Sequence, residues 1–479
     1  MSSPAGPRVA VVGAGIAGLA AAQHLRERRP ELDVVVLDGA DRVGGKLLRG
    51  EVAGIPVDLG AESLLARRPE AVDLVRTAGL GDDLVHPHAT TASIWSRGSL
   101  RPMPPTVFGI PTDVAAAIDS QILSRRGALR LRASLLDRRL PRQPDAPDVS
   151  VGQLVSRAVG TEVLDRLVEP LLGGVYAGHA RELSLRAAAP QIASLAEQGG
   201  SLVAAAARRR GPDAAAGPVF AGVIGGIARL PETLAGALPD VRLQTTVRRI
   251  SPQADGYQLE LGSAAAPSRL AVDAVLLATP AAPTARLLTE LAPRAAAELR
   301  QVEHASMAVV SLAVPREGFA QPLTGSGFLV PPVDGRTVKA ATWSSAKWAW
   351  IGAAAGPDTV VLRASLGRHH EESVLQRDDS ELVDLAVNDL HAAVGLRGPL
   401  VDAVVTRWGG ALPQYAVGHT ERIGRVRAAV AEVNALEVCG ATYEGLGVAA
   451  CVAGAQQAAE RLLTSLPDHE SLGQGRMAT

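Results

Sequence analysis

The chain has 479 residues, enough for two or three domains around a sizeable core, and its Lys+Arg 48 and Asp+Glu 49 leave a net charge of −1. That balance excludes a dedicated nucleic-acid binder, and two cysteines, Cys439 and Cys451, exclude a disulfide framework and a CxxC redox pair. Aromatic residues are only 3%, so the core is expected from Ala, Val and Leu, and no apolar run approaches the length of a membrane span.

The opening residues, MSSPAGPR, carry neither an apolar stretch nor an Arg-rich amphipathic pattern, so no targeting peptide is expected and the chain is expected in the cytoplasm. Val9 to Val12 then read as a buried strand. Gly13-Ala14-Gly15-Ile16-Ala17-Gly18 read as a glycine turn opening a helix, and Val34 to Leu37 as a second strand ending on Asp38. Strand, glycine turn, helix, strand and acid, in that order, make a dinucleotide-binding unit. Gly13 permits the tight turn, Gly15 lets the backbone approach a pyrophosphate, and Gly18 lets helix and strand pack closely. The phosphates then meet free N–H groups at the positive end of the helix, and Asp38 takes hydrogen bonds from ribose hydroxyls.

After Gly39 comes Arg42-Val-Gly44-Gly45-Lys46, which resembles the second fingerprint of the FAD-containing oxidase superfamily. Two adjacent glycines bring the chain close to the diphosphate and ribityl chain. Lys46 either neutralises a phosphate oxygen or stays solvated. Gly60-Ala61-Glu62-Ser63 would set small groups beside a flavin.

Residues 112 to about 145 show a helical period through Val114, Ile118, Ile122, Leu129, Leu135, Leu136 and Leu140, with arginines at 125, 126, 130, 132, 138 and 139. A basic amphipathic helix of this kind suits a membrane surface as well as a solvated face. Pro141 to Asp148 read as a loop, and 206–218 as a surface loop. GVIGGIARL from Gly222, the strand holding Val247, and VDAVLLATP from 272 read as further parts of the nucleotide domain. VDAVLLATP resembles the returning strand that covers the adenine side in such flavoproteins, and Val247 would meet the adenine through its backbone. Residues 300–430 read as strands with a few helices, including 309–314, 359–367 and 402–408. In the closing block, Gly445-Leu446-Gly447-Val448 would bare a helix N-terminus toward the flavin's pyrimidine carbonyl and stabilise charge on it.

The segment RWGGALPQYAVGH at 407–419 resembles the W…PQY…GH signature of the protoporphyrinogen and coproporphyrinogen oxidases. VGGKLL (43–48), DLGAESLLARRP (58–69), LRPMPPTVFGIPTD (100–113), GGVYAGHARELSLRAAAPQ (173–191) and GVIGGIARLPETL (222–234) agree with it. The resemblance implies an α/β fold with a Rossmann-like FAD-binding domain assembled from 1–75, 220–298 and 431–470. It also implies a mixed α+β substrate domain from 76–111, 170–219 and 299–430, and a helical insertion over 112–169.

The implied activity is FAD-dependent oxidation of coproporphyrinogen III to coproporphyrin III in haem biosynthesis. Oxygen is the acceptor and hydrogen peroxide is released. Protoporphyrinogen IX is the alternative substrate; another flavin amine oxidase or desaturase, and a dissociation-inhibitor-like binding protein without catalysis, are the competing readings. Transient contact with ferrochelatase and peripheral contact with the inner face of the cell membrane go with the resemblance.

Residue by residue, Arg68 falls where the coproporphyrinogen-oxidising branch carries a base, with Arg67 as a substitute. Trp408 matches the aromatic residue beside the flavin, and Tyr415 would line the same cavity. No catalytic side chain is assigned, and His179 and His419 are expected in polar contacts only. One departure is Asp38, where the family more often has Glu. His369-His370-Glu371 and His86-Pro-His88 lack a third ligand at metal spacing, so no metal is expected.

Overall fold

Strands that are apolar throughout need cover on both faces. The first strand, Arg8–Val12, is buried from Val9 onward. It lies at the centre of a five-stranded parallel sheet in the order Asp240–Arg242, Asp33–Leu37, Arg8–Val12, Ala274–Leu277, Leu436–Val438. The start, middle and end of the chain thus share one sheet. The computed structural model describes residues 6–136, 147–209 and 217–466. Helix Ile16–Arg28 packs beside the last helix, Val448–Ser465. Both bury small residues, Ala20, Ala21 and Ala22 on one and Gly454, Ala455 and Ala458 on the other, so their axes can approach closely. Cys439 and Cys451 are buried and unpaired in this core, and burial pushes both thiols up, Cys451 to about 12. An antiparallel meander, Val247–Gln253, Gly256–Ser263 and Ala266–Val272, adds Val247, Leu259 and Leu261 to the same core.

A second sheet has seven strands in the order Asp402–Pro413, His304–Pro315, Thr359–Leu366, Val338–Thr342, Gly327–Leu329, Ser93–Ser96, Ser99–Pro102. Its long strands alternate between two faces, as the pleat requires. Ala308, Val310, Leu312 and Val314 meet Leu382, Ala386 and Leu390 of helix Asp379–Val394, which starts on an Asp378/Glu381 capping box. Ala313 and Val361 instead meet Trp348, Ile351 and the hairpin Arg49–Val52/Ile55–Asp58 that leads back to the nucleotide domain.

The third layer is helical. Helices Val114–Asp119, Arg125–Ala133, Val151–Val159, Glu169–Tyr176, Pro190–Ala196 and Leu202–Arg209 share a core around Ile122, Leu131, Val155, Leu167, Leu172, Ile192 and Val203. The helical unit therefore continues past residue 169 to Arg209, because the later helices bury their apolar faces on the earlier ones. The loop expected from 206 begins later for the same reason, and its residues 210–216 lie outside the described residues. The single basic helix expected over 112–145 is two. Gln121 takes a φ of 56°, which ends the first, and Ser124 caps the second by accepting the Gly127 N–H at 3.1 Å. Arg138, Arg139, Leu140 and the loop over 141–146 lie outside the described residues. Among the described residues no helix is long and apolar enough to cross a membrane.

Candidate active site

The glycines of the first turn divide the labour by sterics. Gly13 adopts φ 112°, and its N–H donates to the Leu37 carbonyl at 2.8 Å. A Cβ on Gly18 would lie 1.8 Å from the Gly13 carbonyl oxygen and 3.2 Å from Ala278 Cβ. A Cβ on Gly15 would meet nothing within 4 Å, so its outer side is open space at the start of a helix that has no side-chain cap. Asp38 closes this turn. Its Oδ2 accepts from Ala14 N–H at 2.6 Å and its Oδ1 from Ala40 N–H at 2.8 Å, so the shorter acid stands over the glycine turn. A Cβ on the next residue, Gly39, would lie 2.7 Å from Thr246 Oγ1, which brings the Val247 strand to the same edge.

The second glycine pair docks on the first. Gly44 N–H donates to the Ala14 carbonyl at 2.8 Å, and a Cβ on Gly45 would come within 3.3 Å of Gly15 Cα. The Lys46 carbonyl accepts from Ala61 N–H at 3.1 Å, and a Cβ on Gly60 would lie 2.0 Å from that oxygen and 3.1 Å from Trp408 Cζ2. Trp408 Nε1 donates to the Leu59 carbonyl at 3.1 Å. At the far end of the chain, Gly440 faces Ala17, with 3.9 Å between Ala17 Cβ and a Cβ placed on Gly440. Gly447 opens helix Val448–Ser465 with no side-chain cap, and a Cβ there would meet nothing within 4 Å. Leu446 is half-buried beside it and Val448 is buried. Two helix N-termini without side-chain caps thus have open space before them, and the Gly60–Ala61 loop joins the first through Gly45 and Lys46. Such a cradle offers backbone N–H groups to an extended dinucleotide cofactor and fits FAD.

Charged side chains brace this cradle from the seven-stranded sheet. Glu62 does not turn its carboxylate outward. It pairs with Lys347 and, at 3.0 Å, with Arg363, while Arg363 Nη2 donates to the Gly60 carbonyl at 2.6 Å. Burial works to raise the Glu62 pKa, but the two cations outweigh it and hold the carboxyl below its usual range. Ser63 is half-buried behind it. Asp58 is buried with Oδ2 accepting from Ile227 N–H at 3.2 Å and Oδ1 without a partner. Desolvation pushes its pKa up to about 7. Lys46 is half-buried, and loss of hydration lowers its ammonium pKa.

Trp408 and Met307 are register partners on adjacent strands, so their side chains leave the same face of the sheet. Beyond Met307 lies Lys339, whose Nζ is 3.8 Å from Met307 Sδ and donates to the Gly367 carbonyl at 2.9 Å. Lys339 is 3% exposed, and no carboxylate pairs with it among the described residues. Burial, and then the charge of Arg368, bring its pKa down to about 7. The buried Arg368 donates to the Arg336 and Val330 carbonyls at 3.4 Å.

Sequence reasoning missed Lys339, Lys347 and Arg363, although a signal was present. Arginine replaces lysine almost everywhere, and the three lysines of the chain are Lys46, Lys339 and Lys347. A compact ammonium whose pKa shifts on burial is not interchangeable with a guanidinium.

The other sequence-assigned residues are engaged by partners within the protein. Arg68 is exposed at a helix start and held by Glu70 at 2.7 Å; Arg67 is exposed and donates to the Gly217 carbonyl at 3.2 Å. Neither is enclosed with the Trp408–Met307 face. Tyr415 is buried in the helical core, its hydroxyl committed to the Ala441 carbonyl and its ring stacked on His419 at 4.2 Å. It ties the helical unit to the closing glycine block. His419 Nε2 meets the Thr442 carbonyl at 2.9 Å, and burial lowers its pKa to about 4. His179 bridges Glu169 at 3.2 Å and the His369 carbonyl at 3.0 Å. Glu182, far from His369 and His370 in sequence, lies close to both in the fold, a proximity that sequence spacing could not show.

Comparison with known proteins places this geometry. A family model described as flavin containing amine oxidoreductase matches residues 16–463. A protein from Mycobacterium bovis named coproporphyrinogen III oxidase is 37% identical over 463 residues, covering 95% of this chain and 97% of that protein. A Bacillus subtilis protein of the same name is 30% identical over 473 residues, covering 96% and 98%. A solved structure from Exiguobacterium sp. 255-15, provisionally assigned as a protoporphyrinogen oxidase, superposes with a TM-score of 0.84 at 30% identity, covering 97% of this chain and 100% of that one.

Proposed function

This chain belongs to the flavin-containing amine oxidoreductases, among the coproporphyrinogen III oxidases, and from that premise we propose that it oxidises coproporphyrinogen III to coproporphyrin III. The observation that carries the reading is 37% identity along 95% of the chain with a protein of that name. It is an FAD-dependent oxidoreductase. FAD, when bound, accepts hydrogen from the substrate two electrons at a time. In total, six hydrogens are removed from the macrocycle and three molecules of oxygen are reduced to hydrogen peroxide.

The chain's own residues hold and orient. Gly15 and Gly447 leave room for the cofactor, and the first-turn and closing-helix N–H groups face its charge. Arg363 and Glu62 fix the Gly60 loop against Trp408. The wall formed by Trp408, Met307 and Lys339 faces the macrocycle, and Lys339 receives one of its propionates. A carboxylate supplies the counter-charge that this buried ammonium lacks within the protein. Four propionates on coproporphyrinogen III, against two on protoporphyrinogen IX, favour the former. Arg68 and Arg67 serve as rim contacts for a second acid arm.

The finished porphyrin passes to ferrochelatase. The exposed Leu129, Leu135 and Leu136, beside exposed Arg125, Arg126 and Arg132, make peripheral contact with an anionic membrane surface. Anaerobic mixing with coproporphyrinogen III should bleach the flavin, and admitting oxygen should restore the yellow colour and produce porphyrin fluorescence. Flavin bleached by amines but not by porphyrinogens would refute the assignment.

A further inference from the structure

Outside the flavin cradle, a compact set of metal-binding atoms lies where the helical unit meets the seven-stranded sheet. His369 and His370 follow the end of strand Thr359–Leu366, and Glu182 lies in the turns after helix Glu169–Tyr176. Glu182 Oε2 is 3.6 Å from His369 Nδ1 and 3.5 Å from His370 Nε2. The three residues can present ligand atoms that all lie within 4.8 Å of one another. Donors about 2.0–2.1 Å from a zinc ion in tetrahedral array stand roughly 3.4 Å apart, close to both of the carboxylate–imidazole separations.

His369 gives this cluster its direction. Its side chain is 7% exposed, and its Nδ1 has no hydrogen-bond partner. A buried polar atom left without a partner costs its desolvation with no return, so a ligand for it is the economical explanation. The other ring nitrogen, Nε2, faces Glu303 Oε2 at 3.4 Å. A carboxylate there keeps the proton on Nε2 and leaves the Nδ1 lone pair facing Glu182, which is how a carboxylate behind a ligating histidine acts.

The backbone holds the ring in place. His369 N–H donates to the Ala177 carbonyl at 2.6 Å, and the His369 carbonyl meets His179 Nε2 at 3.0 Å. His370 takes φ 68°, a conformation that costs a non-glycine residue energy, and sets its ring 3.9 Å from that of His369.

We propose that Glu182, His369 and His370 bind one divalent transition-metal ion of the zinc class through Glu182 Oε2, His369 Nδ1 and His370 Nε2, with water in the fourth position. The site is separate from the flavin chemistry and does not depend on the porphyrinogen assignment. Its role is a clasp. Ala177 ends helix Glu169–Tyr176, and Gly174 of that helix faces Leu329 of the sheet, 3.7 Å from the place of a Cβ to Leu329 Cδ2. A bound ion therefore fastens the helical unit down onto the sheet.

The test uses the flavin-loaded full chain without an affinity tag, stripped with a chelator and dialysed against zinc chloride. One zinc per flavin is expected. The zinc-edge absorption spectrum should show nitrogen and oxygen donors at about 2.0–2.1 Å with scattering from two imidazoles. Glu182→Gln and His370→Asn should each weaken zinc binding about tenfold or more while flavin content stays unchanged. Asn is chosen because it tolerates the left-handed backbone at position 370. Uptake well below one equivalent overturns the proposal. So does a spectrum with fewer than two imidazoles, or stoichiometric uptake that both variants retain, which would mark an adventitious ion elsewhere. If a substitution costs flavin, the wild-type stoichiometry and imidazole count still decide.

Discussion

In the nucleotide half, the groups that line the proposed cradle are backbone atoms and empty space: Gly15 and Gly447 with nothing before them, and two helix starts without side-chain caps. On the seven-stranded sheet and the helical unit the groups are titratable and charged side chains drawn out of water: Glu62 with Lys347 and Arg363, Lys339 beside Arg368, and Glu169 with His179. A backbone cradle has no protonation state, so its weakness is steric. A wall of buried charge depends on pH and on each partner being present. The two halves should therefore fail in different ways.

The largest effects come from the glycines, and they split the cradle's own two roles. Gly18→Ala forces a Cβ to 1.8 Å from the Gly13 carbonyl. It should cost more than ~3 kcal/mol and yield aggregated, colourless protein, measured by denaturant melts and flavin absorbance. Gly15→Ala puts its methyl into open space, so the flavin-free protein should keep wild-type stability while flavin affinity falls about a hundredfold, about 2.7 kcal/mol. Equal loss of stability in both variants would refute the division of labour. Next in size is Arg363→Met, which leaves the partly buried Glu62 with Lys347 alone and the Gly60 carbonyl without its donor. A loss of about 3 kcal/mol is expected, with weaker flavin retention.

That contrast also explains what could be read from the chain. The glycine turn, its helix, the second strand and Asp38 are consecutive, so their spacing in sequence is their spacing in space. The same holds for the closing Gly445–Val448 turn. The substrate wall is assembled across strands and domains. Glu62 finds its partners only when strand Thr359–Leu366 is laid beside the hairpin, and Glu182 finds His369 only when the helical unit docks. Composition shows the residue types, including three conspicuous lysines, but not the pairings. The assignment of Glu62 to the cofactor and of Tyr415 to the cavity rested on motif position. In the fold Lys347 and Arg363 take up the Glu62 carboxylate, and Ala441 takes up the Tyr415 hydroxyl.

Lys339 sharpens the comparison through pH. Its folded pKa of about 7 lies below the ordinary 10.5. Between those values the unfolded chain binds a proton that the folded chain does not, so this residue makes stability rise with pH from about 7 toward 10.5 and adds no slope below. Lys339→Met should remove that rise and be more stable than wild type at pH 6, with the gap closing as pH increases. An acid arm of the substrate binds the charged form, so KM for coproporphyrinogen III should climb as pH rises past about 7 in wild type and stay flat in the variant. A KM with the same pH profile in both would detach Lys339 from the substrate.

Arg68→Ala is the smallest change and decides where the acid arms end. The guanidinium is exposed and, among the described residues, is paired only with Glu70, two residues away in the chain, so stability should move by no more than about 0.5 kcal/mol. If Arg68 reaches a propionate at the rim, KM should rise several-fold for coproporphyrinogen III, less for protoporphyrinogen IX, and the increase should shrink at high salt because the contact is made in water. Lys339, out of reach of screening ions, should show no such salt dependence. Equal KM shifts for both substrates in Arg68→Ala would confine the recognition of the acid arms to the buried wall.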